Sequence, residues 1–386
     1  MKTWVIQPRD PAVFRDGRPF DRVPGARALS VSFPFPSTVA GAIRTLDGLG
    51  PDGRFNPAEV PRLKKVKVFG PLLVRMRMDG DLDWYAPAPA DARFFECESC
   101  SEKIVIRPSV PLELPEGVTT NLPQGLAPVG LAEADLRKPP KKVPRYWFWN
   151  LLERWLLGPE EIEGLPERIG IEGPVPEQRI HVGISYSTRT ADREAGALFH
   201  TRGLRFSVAP ERHLASAYDL ALAVATDAPN LRPGLCTIGG ERRLSYFEPV
   251  EKEFPAIPEG LADTVTRQSH CRLVLLTPAF FEKGWKPSWL LSGSFGVNVE
   301  ICAVALPKPH VVSGWDLDAK RPKPTRRLVP AGTVYFLKLA GEPSDIRSWV
   351  SGIWLRNISD CEQDRLDGFG LAVVGVWDGK VHRMEV

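Results

Sequence analysis

Long apolar runs are missing from this 386-residue chain. None approaches the roughly 18 to 20 residues that a membrane-spanning helix needs, so a helical membrane protein is set aside. Met1-Lys2-Thr3-Trp4-Val5-Ile6 meets Gln7-Pro8-Arg9-Asp10 too soon to build a signal peptide, and a cytoplasmic protein is expected. Cysteine is sparse: six are scattered and only Cys97 and Cys100 stand close, which excludes the disulfide framework of a small secreted domain. Charge of one sign is missing too. Lys plus Arg total 50 against 47 Asp plus Glu, a formal net charge of +3, so any basic surface must be local. HExxH does not occur, and the Gly239-Gly240 loop fits neither GxGxxG nor GxxxxGK before Ser or Thr, so zinc-protease, NAD and ATP chemistry has little support; no cofactor is expected.

What the chain holds in excess is proline, 38 residues, and glycine, 33, with many prolines in the connections 108–144 and 159–176. Regular structure is therefore expected to be broken by long surface excursions. Hydrophobic residues make up 43%, enough for ordinary cores, and the length predicts two domains or one with large insertions.

Residues 2–7 read as a strand, and Asp16-Gly17 as a tight turn. Phe33-Pro34-Phe35-Pro36 must be extended, because a residue before proline is pushed out of the helical region. Ser37 then reads as the N-cap of an amphipathic helix over 38–48, with Val39, Ile43 and Leu46 at helical spacing and Arg44 on its exposed side. A helix opening after a strand offers free N–H groups to a phosphate, although an ordinary capped helix explains the same residues. Strand signals follow at 66–74. Trp147, Leu151 and Trp155, four apart, predict a helix over 145–157 whose tryptophans are read as core or partner contacts ahead of base-stacking platforms. Arg137-Lys138-Pro139-Pro140-Lys141-Lys142 reads equally as an RNA contact or a solvated loop. The runs 198–208 and 218–225 read as an antiparallel pair.

Two glycine loops stand just ahead of strand-like runs: Gly239-Gly240-Glu241-Arg242-Arg243 and Gly368-Phe369-Gly370. Glycine lets the backbone approach a partner closely, and neighbouring N–H groups in such a loop form an anion site. Arg242 and Arg243 add guanidinium groups suited to phosphate oxygens. A tight connection needing positive φ accounts for the glycines equally well, and both roles are compatible. A loop over 318–327 carries Lys320, Arg321, Lys323, Arg326 and Arg327. Strands at 271–277 and 334–339, a helix over 343–355 and a strand at 371–377 complete a second half. Both halves start on a strand and end on a glycine loop feeding a strand. The expected fold is α+β: two tandem ferredoxin-like modules with long insertions, 1–255 with an insertion around 84–176, and 256–386.

The chain resembles the third subunit of the type III-B CRISPR effector, a RAMP protein of the Cmr complex. The resemblance is carried in order by Phe14-Arg15-Asp16-Gly17-Arg18-Pro19-Phe20, Phe33-Pro34-Phe35-Pro36-Ser37-Thr38-Val39-Ala40-Gly41-Ala42-Ile43-Arg44, Val182-Gly183-Ile184 with Gly196-Ala197-Leu198-Phe199, and Gly239-Gly240-Glu241-Arg242-Arg243. It continues through Ser313-Gly314-Trp315-Asp316, Pro330-Ala331-Gly332-Thr333-Val334-Tyr335-Phe336 and Gly368-Phe369-Gly370-Leu371-Ala372. It implies RRM-related modules in a cytoplasmic ribonucleoprotein of antiviral defence. It also implies a clamp on the repeat-derived 5′ handle of CRISPR RNA, beside the large polymerase-like subunit and the first backbone RAMP subunit, with no nuclease centre. The aromatic RNP1 run of an RRM is missing, so contact is expected from loops and basic side chains.

On this resemblance Arg44, Arg189, Arg193, Arg242, Arg243, Arg326 and Arg327 are expected to line the handle, with Gly239, Gly240, Gly368 and Gly370 allowing close backbone approach. One alternative is a protein-only bridging adaptor, which the near-neutral charge fits. Another is a metal-independent RNA-processing endonuclease using His200 or His213 as general base, for which the sequence shows no positioned partner. Cys97-Glu98-Ser99-Cys100 has the spacing of half a zinc site without a second pair, and no metal is expected.

Overall fold

A computed structural model describes residues 1–15, 27–28, 30–77, 79–185, 187–191, 198–208, 217–316 and 321–384. Along the chain, β1 (Lys2–Pro8), α1 (Pro36–Asp47) and β2 (Val68–Met76) come first, then β3 (Ala92–Glu96), β4 (Ile104–Pro108), β5 (Tyr146–Phe148) and α2 (Trp149–Leu157). The middle holds β6 (Val175–Val182), β7 (Leu198–Arg205), β8 (Tyr218–Thr226), β9 (Gly234–Thr237) and β10 (Leu244–Val250). The remainder holds α3 (Leu261–Gln268), β11 (His270–Leu275), β12 (Asn298–Ala305), β13 (His310–Asp316), β14 (Arg321–Leu328), β15 (Val334–Ala340), α4 (Pro343–Ile353), α5 (Glu362–Asp367) and β16 (Leu371–Val376). Helix and strand are mixed, and the sheets are mostly antiparallel. Among the described residues no helix is long and apolar enough to cross a membrane.

Two compact units result. The first comprises Met1–Leu82, Pro174–Glu253 and Val311–Arg327; the second comprises Asp83–Gly173, Phe254–His310 and Leu328–Val386. In the first unit an antiparallel sheet runs β2-β8-β1-β10-β9. Its centre is apolar because β1 contributes Val5 and Ile6, and β8 contributes the unbroken buried run Leu220-Ala221-Leu222-Ala223-Val224. Helix α1 buries Val39 and Ile43 of the predicted stripe together with Ala40, while Leu46 is half-buried. Strands β6 and β7 form a separate ladder from Val175↔Arg205 to Val182↔Leu198.

The second unit has a sheet in the order β12-β15-β11-β16, again antiparallel throughout. Helix α4 buries Ile346, Trp349, Val350 and Ile353. A separate core cluster in this unit gathers Ile104, Ile106, Trp147, Leu151, Trp155 and Ile169. A fully buried ion pair lies within this unit: Arg272 on β11 donates to Asp91 at 2.7 Å, and the Trp155 indole donates to the same carboxylate at 2.9 Å.

Four local expectations are corrected. Ser37 is not the N-cap: Phe35 takes that place in extended backbone and Pro36 opens the helix, where its missing N–H costs nothing. The aromatic helix begins at Trp149, and Trp147 lies on a short strand, in keeping with the β preference of Tyr146-Trp147-Phe148. Trp147 and Trp155 still meet edge to face at 5.4 Å, and both are buried, so neither is surface for a partner. Strand β7 pairs with β6 instead of β8; Ser207–Val208 pairs with Tyr218 and Asp219, and the Leu220 N–H donates to the Phe206 carbonyl at 2.8 Å. Residues 321–327 are strand, paired with β13, and 318–320 lie outside the described residues. Pro322 and Pro324 are two apart, so both turn their N–H-less edge the same way, which a two-stranded ribbon tolerates.

Candidate nucleic-acid interface

The first glycine loop is the tip of the β9–β10 hairpin, closed by the Ile238 N–H donating to the Arg243 carbonyl at 3.1 Å. Its backbone is left-handed at Gly239 (φ +70°), Glu241 (φ +61°) and Arg242 (φ +49°). A Cβ on Gly239 would stand 2.4 Å from the Val13 carbonyl oxygen, and the Gly240 N–H donates to that same carbonyl at 2.7 Å. The close approach that glycine permits here is made by the chain's own Val13. What the tip turns outward is side chain: Glu241 and Arg242 are exposed and Arg243 half-buried, with its Nε buried and lacking a hydrogen-bond partner among the described residues.

The other expected arginines sit in different local settings. Arg189 is exposed on the β6–β7 connection, with φ +54°, and its N–H donates to the Ser185 carbonyl at 2.8 Å. Arg193 lies outside the described residues. On β14, Arg326 is half-buried and its neighbour Arg327 exposed, as alternation along a strand requires. Arg44 is half-buried instead of exposed: its guanidinium donates to the Val66 carbonyl at 2.8 Å and braces α1 against the segment entering β2. All six described arginines of the set belong to the first unit.

The second glycine loop is the C-terminal cap of α5, and Gly368 (φ +101°), Phe369 and Gly370 (φ +81°) are all buried. The Gly370 N–H donates to the Pro278 carbonyl at 2.8 Å, and a Cβ there would come within 2.9 Å of the Ser359 nitrogen. Both glycines are therefore committed to the interior of the second unit, where a phosphate has no access.

Sequence reasoning missed two features. On β6 and its continuation Ile180, Val182 and Ile184 are 63%, 59% and 67% exposed, and Leu198, directly across from Val182, is 51% exposed. These exposures rule out a core role for that face. A cleft of about 770 Å³ is lined by Gln7, Arg75, Arg77, Tyr218 and Asp219, with the Arg75 guanidinium 5.4 Å from the Tyr218 ring centre. Alternation signalled the first; the second depends on the pairing of β2 with β8, which no local pattern encodes.

Of the catalytic candidates, His200 Nδ1 shares a 3.0 Å hydrogen bond with Gln178, and His213 lies outside the described residues. Among the described residues no cluster of three or more His, Cys, Asp or Glu side chains could hold a metal ion.

A family model described as CRISPR-associated protein (Cas_Cmr3) matches residues 4–377. No curated protein matches the chain. Among solved structures, a chain from "Cryo-EM structure of the Type III-B Cmr-beta bound to cognate target RNA and AMPPnP, state 1" is 17% identical, with 91% of this chain and 88% of that chain covered and a TM-score of 0.45. A chain from "Cryo-EM structure of the Type III-B Cmr-beta bound to cognate target RNA" is 15% identical over 87% and 86%, with a TM-score of 0.47. A chain from "Crystal structure of Csm3-Csm4 subcomplex in the type III-A CRISPR-Cas interference complex" is 11% identical over 89% and 94%, at 0.36.

Proposed function

The chain belongs to the Cas_Cmr3 family of CRISPR-associated proteins, RAMP-type subunits of the type III-B Cmr effector, and we propose that it clamps the repeat-derived 5′ handle of CRISPR RNA without cleaving it. In this reading it sits beside the large polymerase-like subunit and a backbone RAMP subunit. The observation that carries it is the β9–β10 tip: a backbone locked by contact with Val13 holds an exposed Arg242 next to Arg243. A guanidinium on a rigid hairpin loses little freedom on meeting a phosphate. Arg189, Arg326 and Arg327 extend the basic set in the same unit. Arg44 serves first as a brace.

The strand orders β2-β8-β1-β10 and β12-β15-β11-β16 support reading the two sheets as ferredoxin-like modules. Numbered within each half, both run second-third-first-fourth and are antiparallel throughout.

The test is RNA binding by the reconstituted complex across a salt series, with Arg242→Ala/Arg243→Ala against the parent. The double variant is expected to bind handle RNA more weakly and to lose about 0.7 of salt slope per phosphate contact removed. Unchanged affinity and slope would remove the pair from the interface. A protein-only adaptor is the second reading, favoured by the exposed Ile180, Val182, Ile184 and Leu198. Cleavage of repeat RNA by the purified chain in chelator, abolished in His200→Ala, would overturn the non-catalytic part.

A further inference from the structure

Cys97 and Cys100 share one turn, between β3 and β4, and the RNA reading leaves them without a role. The turn is closed from both sides: the Cys97 N–H donates to the Lys103 carbonyl at 3.4 Å and the Lys103 N–H to the Cys100 carbonyl at 3.1 Å. Buried Cys97 packs with Phe95 and Val105, and half-buried Cys100 packs against the same small cluster. Both thiols are free. The Cys97 sulfur lies 3.1 Å from the Ser99 hydroxyl. That hydroxyl, with the backbone amides of Ser99 and Cys100, holds the Cys97 thiol below the ordinary thiol range. Lys103 stands near both sulfurs but is paired with Glu163 at 2.8 Å, and the Glu163 carboxylate opposes the Cys97 thiolate, so the stabilisation comes from the Ser99 hydroxyl and the turn amides. The other cysteines differ: burial pushes the Cys271, Cys302 and Cys236 thiols up, and Cys361 is exposed with no cysteine neighbour in sequence.

Two soft ligands do not complete a zinc site, and among the described residues no third ligand joins them. Two sulfurs on one closed turn, one accessible and one in a thiolate-stabilising pocket, suit thiol–disulfide exchange. We propose that Cys97 and Cys100 are a reactive dithiol that a low-molecular-weight disulfide converts to an intramolecular Cys97–Cys100 disulfide.

The Cys100 thiolate attacks one sulfur of the small disulfide RSSR, forming a Cys100–SR bond and expelling RS⁻, which takes a proton from solvent. The Cys97 thiolate then attacks the Cys100 sulfur, closing the Cys97–Cys100 bond and expelling the second RS⁻. Two electrons and two protons leave the dithiol and appear in two RSH. A reducing thiol reverses the exchange.

The test treats the full chain with oxidised glutathione, quenches with acid, alkylates remaining thiols and maps the digest by mass spectrometry. The peptide containing Cys97 and Cys100 is expected to be lighter by two hydrogens and to resist alkylation until reduced. Cys97→Ser should instead accumulate one glutathione on Cys100, and Cys100→Ser should yield no closed disulfide. Both cysteines remaining alkylatable, or each keeping a separate glutathione, would overturn the proposal. So would one zinc per chain in elemental analysis of the purified protein.

Discussion

Asp135 shows how much one carboxylate can organise in a proline-rich segment. It is almost fully buried, yet it accepts from Arg137 at 2.7 Å and from Arg107 at 3.1 Å. The Arg137 guanidinium, assisted by its backbone N–H and by Arg107, holds the Asp135 carboxyl well below the usual carboxylate range. A depressed folded-state pKa means that the unfolded chain binds the proton first. The pair therefore contributes its full stability above about pH 4 and loses it as pH falls toward the depressed value. Asp135→Asn should lower the urea midpoint at pH 7, and the gap to the parent should narrow steadily below pH 4. A gap that stays constant with pH would remove the charge from the explanation. Within the basic run 137–142, Arg137 is committed to Asp135, while Lys141 and Lys142 stay exposed.

At the scale of elements, the β9–β10 tip and the Arg272 network make separate demands. Gly239→Ala forces a side chain into left-handed backbone and against the Val13 carbonyl; a loss of about 1 to 3 kcal/mol is expected by denaturant titration. Gly41→Ala, on α1 with open space around its Cβ position, should instead be neutral or stabilising. Arg272 joins β11 to β16 through the Val376 carbonyl at 2.9 Å, and to the end of α2 through the Trp155 carbonyl. Arg272→Met leaves the buried Asp91 carboxylate without its cation and should cost about 3 to 5 kcal/mol. Adding Asp91→Asn should recover part of that loss, because no charge then remains buried. Elements with dense apolar patterning, such as β1, α1, β15 and β16, were legible in the sequence. Strands β6 and β14 were not, because Pro176 with Glu177 and Arg179, and Pro322 with Pro324, read as connection where strand pairing overrides propensity. The interior Asp91–Arg272 pair lies 181 residues apart in sequence, a separation that no local pattern can report.

At the scale of the whole molecule, the two glycine loops that look alike in sequence are unequal. One is an outward hairpin tip in the first unit; the other is a buried helix cap in the second. Composition had already limited basic surface to local patches, and the described arginines of the expected track gather in one unit. Which of them stay exposed was not legible, since Arg44 and Arg242 look equivalent until Val66 and Val13 are brought alongside. The central claim is that this chain holds the 5′ handle, and photocrosslinking of handle RNA in the assembled complex, followed by peptide mapping, tests it most directly. Crosslinks are predicted on residues 239–243 and on β14 of this chain; a handle that crosslinks only to neighbouring subunits would contradict the account.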